Sequence, residues 1–175
     1  MKIYLSAPQN TPYQCAFVHD CEAKIARSGF EVSISTDSFI DNQSAFELST
    51  EGNGKPLVSD ENNSGRLAKS SYAHTVFKEN FTSLAKANAL VALLDGSQVD
   101  DRVACEIGVF YGLMLSDLSK KGVLGLATDT RCLRRRDSTY GINIFTLGTI
   151  EEVGKVFETL DNVIEILISW NKNLK

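Results

Sequence analysis

Apolar positions along the chain follow two periods. Short runs in which nearly every residue is apolar, at 2–5, 89–94 and 122–127, predict buried strands, and residues 30–35 alternate apolar with polar as a half-buried strand does. Stretches with three- and four-residue spacing lie between them. Residues 13–28 predict a helix stopped by Gly29, and residues 66–87 a second with Tyr72, Val76, Phe77, Phe81 and Leu84 inward. Val103, Ile107, Phe110 and Met114 form the stripe of a third. Residues 142–147 predict a fifth strand. After it, Thr149-Ile150-Glu151-Glu152 has the form of a capping box opening a last helix, with Ile150, Val153, Phe157, Leu160, Ile164 and Leu167 as its apolar face. Strands and helices alternating in this order specify an α/β fold: a doubly wound sheet of five parallel strands with helices on both faces.

One segment breaks the alternation. Residues 36–65 are polar, rich in Asn, Ser, Asp and Gly, and have no apolar period, which predicts an insertion or mobile lid within a single domain spanning residues 1–175. Composition adds limits rather than a function. With 43% hydrophobic and 23% charged residues the chain is ordinary for a globular protein, and a net charge of −4 argues against a nucleic-acid partner. No apolar run reaches 18 residues and none near the start suits a signal peptide, so no membrane partner is expected and the expected compartment is the cytoplasm. The four cysteines, Cys15, Cys21, Cys105 and Cys132, have no metal-ligand spacing and read as free thiols. His19 and His74 stand alone on helices and are read as structural. Lys120-Lys121 and the cluster Arg131, Arg134, Arg135 and Arg136 are read first as solvated loops, with a phosphate or subunit contact as the other option. Neither a phosphate-cradling glycine loop nor a GxGxxG motif is present, so nucleotide binding through such a loop is not indicated. No cofactor is expected, and with no metal-ligand spacing among the cysteines or histidines no metal either.

The chemistry-bearing stretch is 88–112. It joins a strand, an acidic loop at 95–101 and the helix carrying Glu106. Glu106 lies three residues after Val103 and four before Phe110, so its carboxylate shares the apolar face. A buried unpaired carboxylate costs several kcal/mol, roughly, so either a partner satisfies it or a reaction uses it. The acidic loop at a strand's C-terminal end favours a ligand site, because open α/β sheets bind ligands there. The neighbouring Cys105 points about 100° away and is read as packing.

The pieces together resemble the nucleoside 2-deoxyribosyltransferase family, including relatives that hydrolyse nucleosides or nucleoside 5′-monophosphates. The resemblance rests on the opening Lys2-Ile3-Tyr4-Leu5-Ser6-Ala7-Pro8, the strand Asn88-Ala89-Leu90-Val91-Ala92-Leu93-Leu94-Asp95-Gly96, and Asp100 six residues before Glu106-Ile107-Gly108. Thr128-Asp129-Thr130-Arg131 and Asn143-Ile144-Phe145-Thr146-Leu147-Gly148 complete it. It implies a flavodoxin-like or Rossmann-like fold and an enzyme that moves 2-deoxyribose between nucleobases through a covalent glycosyl-Glu intermediate. It makes Glu106 the nucleophile, has Asp100 bind the sugar hydroxyls, and has Tyr4 hold the Glu106 carboxylate. Asn80 falls where the family usually has the Asp that handles the proton of the leaving base, and Asn cannot deliver a proton at neutral pH. Ser6, Pro8, Asp95, Gly96, Arg102 and Asn143 fall on substrate-binding positions. Arg102 stands where Gly is common, and Asn143 would reach a neighbouring subunit's site, implying a homo-oligomer. The implied partners are a nucleoside or nucleotide and a free nucleobase. Hydrolysis of nucleosides or nucleoside 5′-monophosphates, and a nucleotide-binding module with weak or no catalysis, stay open as alternatives.

Overall fold

The computed structural model describes residues 1–35, 72–129 and 141–172. Strands β1 (Lys2–Ser6), β2 (Glu31–Ile34), β3 (Ala89–Leu93), β4 (Gly122–Leu126) and β5 (Lys155–Phe157) form one sheet in the order β2-β1-β3-β4-β5. Every neighbouring pair is parallel. The helices among the described residues are α1 (Pro12–Arg27), α2 (Tyr72–Lys86), α3 (Asp101–Met114), α4 (Ile144–Val153) and α5 (Leu160–Lys172). This is the α/β flavodoxin-like architecture. The chain divides into two compact units: Met1–Ser35 with Thr82–Lys175, which holds the whole sheet, and Thr36–Phe81. The expected insertion at 36–65, the start of the second expected helix at 66–71 and the arginine cluster at 131–136 lie outside the described residues.

All five residues of β3 and of β4 are buried, which is why their sequences read as continuous apolar runs. Strand alternation then sorts β1. Ile3 and Leu5 join the cluster containing Val18, Cys21 and Ile25 of α1 and Val163 and Leu167 of α5. Tyr4 joins the opposite cluster, with Val103, Ile107 and Phe110 of α3 and Leu147 and Ile150 of α4. Helix α1 begins at Thr11, whose hydroxyl accepts from the Gln14 amide (3.2 Å), with Pro12 in the first turn. It ends before Gly29, whose φ of 92° suits glycine. No helix among the described residues is long and apolar enough to cross a membrane.

The C-terminal third departs from the sequence expectation. Residues 142–147, expected as the fifth strand, lead into and begin helix α4; the fifth strand is the three-residue Lys155–Phe157. A run of Ile, Phe and Leu suits either period. Asn143 decides for the helix as its N-cap, its Oδ1 accepting from the amides of Phe145 (2.9 Å) and Thr146 (3.3 Å). Thr149 therefore sits inside α4 and donates its hydroxyl to the Phe145 carbonyl (2.9 Å) rather than opening the last helix. That helix starts at Leu160, preceded by Thr159, whose hydroxyl accepts from the Asn162 amide at 3.4 Å. Gly154 makes the break between the two, because a Cβ there would overlap the Val123 carbonyl of β4.

Two other expectations change. Phe77 and Phe81 of α2 stack on each other at 5.6 Å between ring centroids and are 57% and 38% exposed, while Asn80 and Leu84 are the buried positions. Lys120, read as loop-exposed, is buried. Its ammonium donates to the carbonyls of Ala85 and Ala87 (2.8 Å each), lies 3.6 Å from Asp117 and sits 4.9 Å from the centre of the Phe110 ring. The charge thus satisfies carbonyls left over at the C-terminal end of α2, where a cation also meets the helix dipole favourably. Burial lowers the Lys120 pKa, and Asp117 opposes that shift.

Candidate active site

Helix α3 carries Glu106 into the sheet. Asp100 starts the helix by accepting, through one carboxylate oxygen, from the amides of Arg102 (3.0 Å) and Val103 (3.3 Å). Val103, Ile107 and Phe110 bury the inner face, and Glu106 lies among them at 7% exposure. Two hydroxyls from β1 meet its carboxylate: Tyr4 Oη donates to Oε1 at 2.9 Å, and Ser6 Oγ donates to Oε2 at 2.5 Å. The period of two puts Tyr4 and Ser6 on the same face of β1, so one strand supplies both donors. Hydrogen bonds to an ionised acceptor are the short, strong kind. Arg102, one helical turn before Glu106, donates from Nη2 to the Ala7 carbonyl (2.8 Å). Ser35 holds the same residue from the other side: its hydroxyl accepts from the Ala7 amide (3.2 Å) and donates to the Ala7 carbonyl (3.4 Å).

Burial pushes the Glu106 carboxyl above the usual carboxylate range. The Ser6 and Tyr4 hydrogen bonds and the Arg102 charge pull it back, and the Asp100 charge adds to the rise. Burial, then the Glu106 charge and hydrogen bond, drive the Tyr4 phenol far upward, so Tyr4 stays a donor at any ordinary pH. The arrangement holds a carboxylate that is ionisable, oriented by two donors and less stabilised than it would be in water. Such a group can act as a nucleophile toward an electron-poor carbon.

The other expected substrate residues do not all gather here. The Asp95 carboxylate accepts from the Thr128 amide (2.6 Å), the Thr128 hydroxyl (2.5 Å) and the Asp129 amide (2.9 Å), tying the exits of β3 and β4 together. Pro8, Asp95 and Gly96 line a cleft of about 210 Å³ with Tyr13 and Phe17 of α1; Tyr4, Ser6 and Glu106 do not line it. Asn143 is exposed at the start of α4, followed by Ile144 and Phe145 at 76% and 84% exposure. Asn80, 8% exposed, belongs to the unit Thr36–Phe81. Cys105, expected to pack, is exposed, because its neighbour Glu106 takes the inward direction. Ser35 had no signal of its own in the sequence; only the register of β2 beside β1, which pairs Ile34 with Leu5, brings it to Ala7. Among the described residues no group of three or more His, Cys, Asp or Glu could hold a metal ion.

The family model for nucleoside 2-deoxyribosyltransferase matches residues 3–163. The chain belongs to that family. Solved structures similar to this nucleoside 2-deoxyribosyltransferase family member share its fold. A conserved protein from Enterococcus faecalis V583 is 22% identical, with 94% of this chain and 95% of that one covered at a TM-score of 0.61. The 2-deoxyribosyltransferase of Bacillus psychrosaccharolyticus is 17% identical, covering 94% and 90% at 0.56. That of Leishmania mexicana is 14% identical, covering 96% and 97% at 0.59. No curated protein matches the chain.

Proposed function

We propose that the protein transfers 2-deoxyribose between nucleobases, with Glu106 as the nucleophile. The observation that carries this reading is the Glu106 carboxylate, buried at the C-terminal edge of the sheet and held by Tyr4 and Ser6. Family membership supplies the substrate class. In the first step a Glu106 oxygen bonds to C1′ of a 2-deoxynucleoside as the C1′–N bond breaks, and the base leaves with the bonding electrons and takes up a proton from solvent. The developing oxocarbenium charge lies against the carboxylate, which stabilises it and then captures it. In the second step a nitrogen of another base attacks C1′ from the opposite face and gives up its N–H proton to solvent, the ester C–O bond breaks and Glu106 is regenerated. Two inversions give net retention. Asp100 spends one oxygen on capping α3, and its other oxygen is the one we assign to a sugar hydroxyl. Asn143, with the exposed Ile144 and Phe145, is assigned to a contact between subunits.

Incubation with deoxyinosine, with and without adenine, tests the reading. Deoxyadenosine formed only when adenine is present is the expected product. Free hypoxanthine released at the same rate with or without adenine, and no new nucleoside, replaces transfer with hydrolysis. Binding without any cleavage removes the enzymatic reading.

A further inference from the structure

The sequence resemblance places Arg102 against substrate; in the structure its side chain also reaches the end of β1. Its Nη2 is 2.8 Å from the Ala7 carbonyl, 95 residues away in sequence. Ala7 directly follows Ser6, the residue whose hydroxyl meets Glu106 Oε2 at 2.5 Å. Arg102 and Glu106 are four residues apart on α3 and therefore share a helix face. One side chain thus reaches from the first turn of the helix that carries the nucleophile to the end of the strand that supplies its donors. We infer that Arg102 is a positioning residue for Glu106: its guanidinium ties the end of β1 to α3 and places a fixed positive charge beside the carboxylate. The inference rests on the Glu106 nucleophile proposed above.

The physical case has a mechanical part and an electrostatic part. Mechanically, Ala7 is gripped from two sides, by Arg102 and by the Ser35 hydroxyl on its amide and carbonyl. Letting go of one side frees the chain next to Ser6, whose short bond to Glu106 has little tolerance for displacement. Electrostatically, burial raises the Glu106 pKa, and among the described residues the charged groups acting on it are Arg102 and Asp100, with opposite signs; Tyr4 and Ser6 of β1 contribute neutral donors. Among the described residues Arg102 is thus the cationic group favouring the ionised nucleophile, and it also lowers the Tyr4 phenol against its upward shift. Guanidinium suits this double duty because it stays charged while its fork fixes direction.

The test uses the full-length protein labelled with 13C at glutamate Cδ, with the Glu106 signal assigned by its loss in Glu106→Gln. In Arg102→Met the Glu106 titration should move up by about 1–2 pKa units, and the acidic limb of kcat/KM should move with it. Arg102→Lys keeps a charge but not the fork. It should return the titration most of the way toward wild type, while kcat on the plateau stays several-fold low because the tie to Ala7 is lost. A Glu106 titration unchanged in Arg102→Met overturns the proposal. So does a loss of kcat that is the same at every pH in both variants, which is what a purely structural role produces. If Arg102→Met does not fold, Arg102→Lys still decides: wild-type kcat and titration there remove the positioning role. The titration needs no turnover, so a wild-type protein that cleaves no nucleoside defeats the functional reading while leaving the effect of Arg102 on Glu106 measurable.

Discussion

Replacing Ser6 with Ala deletes a single oxygen from a fully buried position, and that oxygen donates to Glu106 Oε2 at 2.5 Å. Tyr4 stays in place on Oε1. A hydrogen bond to a charged group contributes about 1.5–3 kcal/mol, and one pKa unit corresponds to about 1.36 kcal/mol. The Glu106 carboxyl should therefore titrate about 1–2 units higher in Ser6→Ala. Because the nucleophile must be ionised, the acidic limb of kcat/KM should shift upward by the same amount. Well below the wild-type pKa the variant should be slower by about 10–100-fold, and the two enzymes should converge on the alkaline plateau. The assay is base release from a deoxynucleoside across the pH range, with circular dichroism to confirm that the fold is kept. An acidic limb identical to wild type would show that Ser6 does not stabilise the ionised form. A deficit constant across pH would show that the hydroxyl acts on something other than the Glu106 charge.

Other consequences follow from the same structure. Glu106→Gln should be more stable than wild type at neutral pH: a folded-state pKa above the unfolded value near ~4.3 means that wild-type stability is fullest below that value and falls as pH rises through the folded one. Urea midpoints of the two proteins should converge in acid and separate toward neutrality, and a variant less stable at neutral pH contradicts the reasoning. Lys120→Met leaves the Ala85 and Ala87 carbonyls without their cationic donor. Each loss costs about 1–3 kcal/mol, offset in part because the ammonium is no longer buried. A net loss of about 2 kcal/mol, with an m-value of roughly 2 kcal/mol/M in urea, lowers the midpoint by about 1 M; an unchanged midpoint would refute the capping role. If the proposed oligomer forms through this surface, Phe145→Asp should dissociate it in sedimentation experiments and reduce activity, since Phe145 is 84% exposed beside Asn143; a fully active wild-type monomer refutes the shared interface.

The first four strands and their burial were legible because β3 and β4 are covered on both faces and so carry unbroken apolar runs. Glu106 was legible for the opposite reason, as a charge inside an apolar stripe. The last third was not, because Ile142, Ile144, Phe145 and Leu147 suit a strand as well as a helix, and only the capping geometry of Asn143 separates the two. Gly154 was the missed punctuation: its requirement comes from contact with Val123, which lies on a strand 31 residues earlier. The same holds at the site. That Tyr4 and Ser6 both reach Glu106 follows from strand alternation once β1 is known to pack under α3. The grip on Ala7 by Arg102 and Ser35 depends on three separated segments meeting, which no local pattern encodes.

The central claim is that the Glu106 carboxylate bonds to the sugar. A deoxynucleoside fluorinated at C2′ reports on it directly, since fluorine destabilises the oxocarbenium-like transition state of both steps and slows release of the glycosyl-enzyme. With a substrate whose base departs readily, the intermediate should accumulate. Proteolysis and mass spectrometry should then place one fluorodeoxyribosyl group on the peptide containing Glu106, and fragmentation should assign it to that carboxylate. Glu106→Gln treated in the same way should carry none. An adduct on any other side chain, or base release by Glu106→Gln at the wild-type rate, would contradict the account.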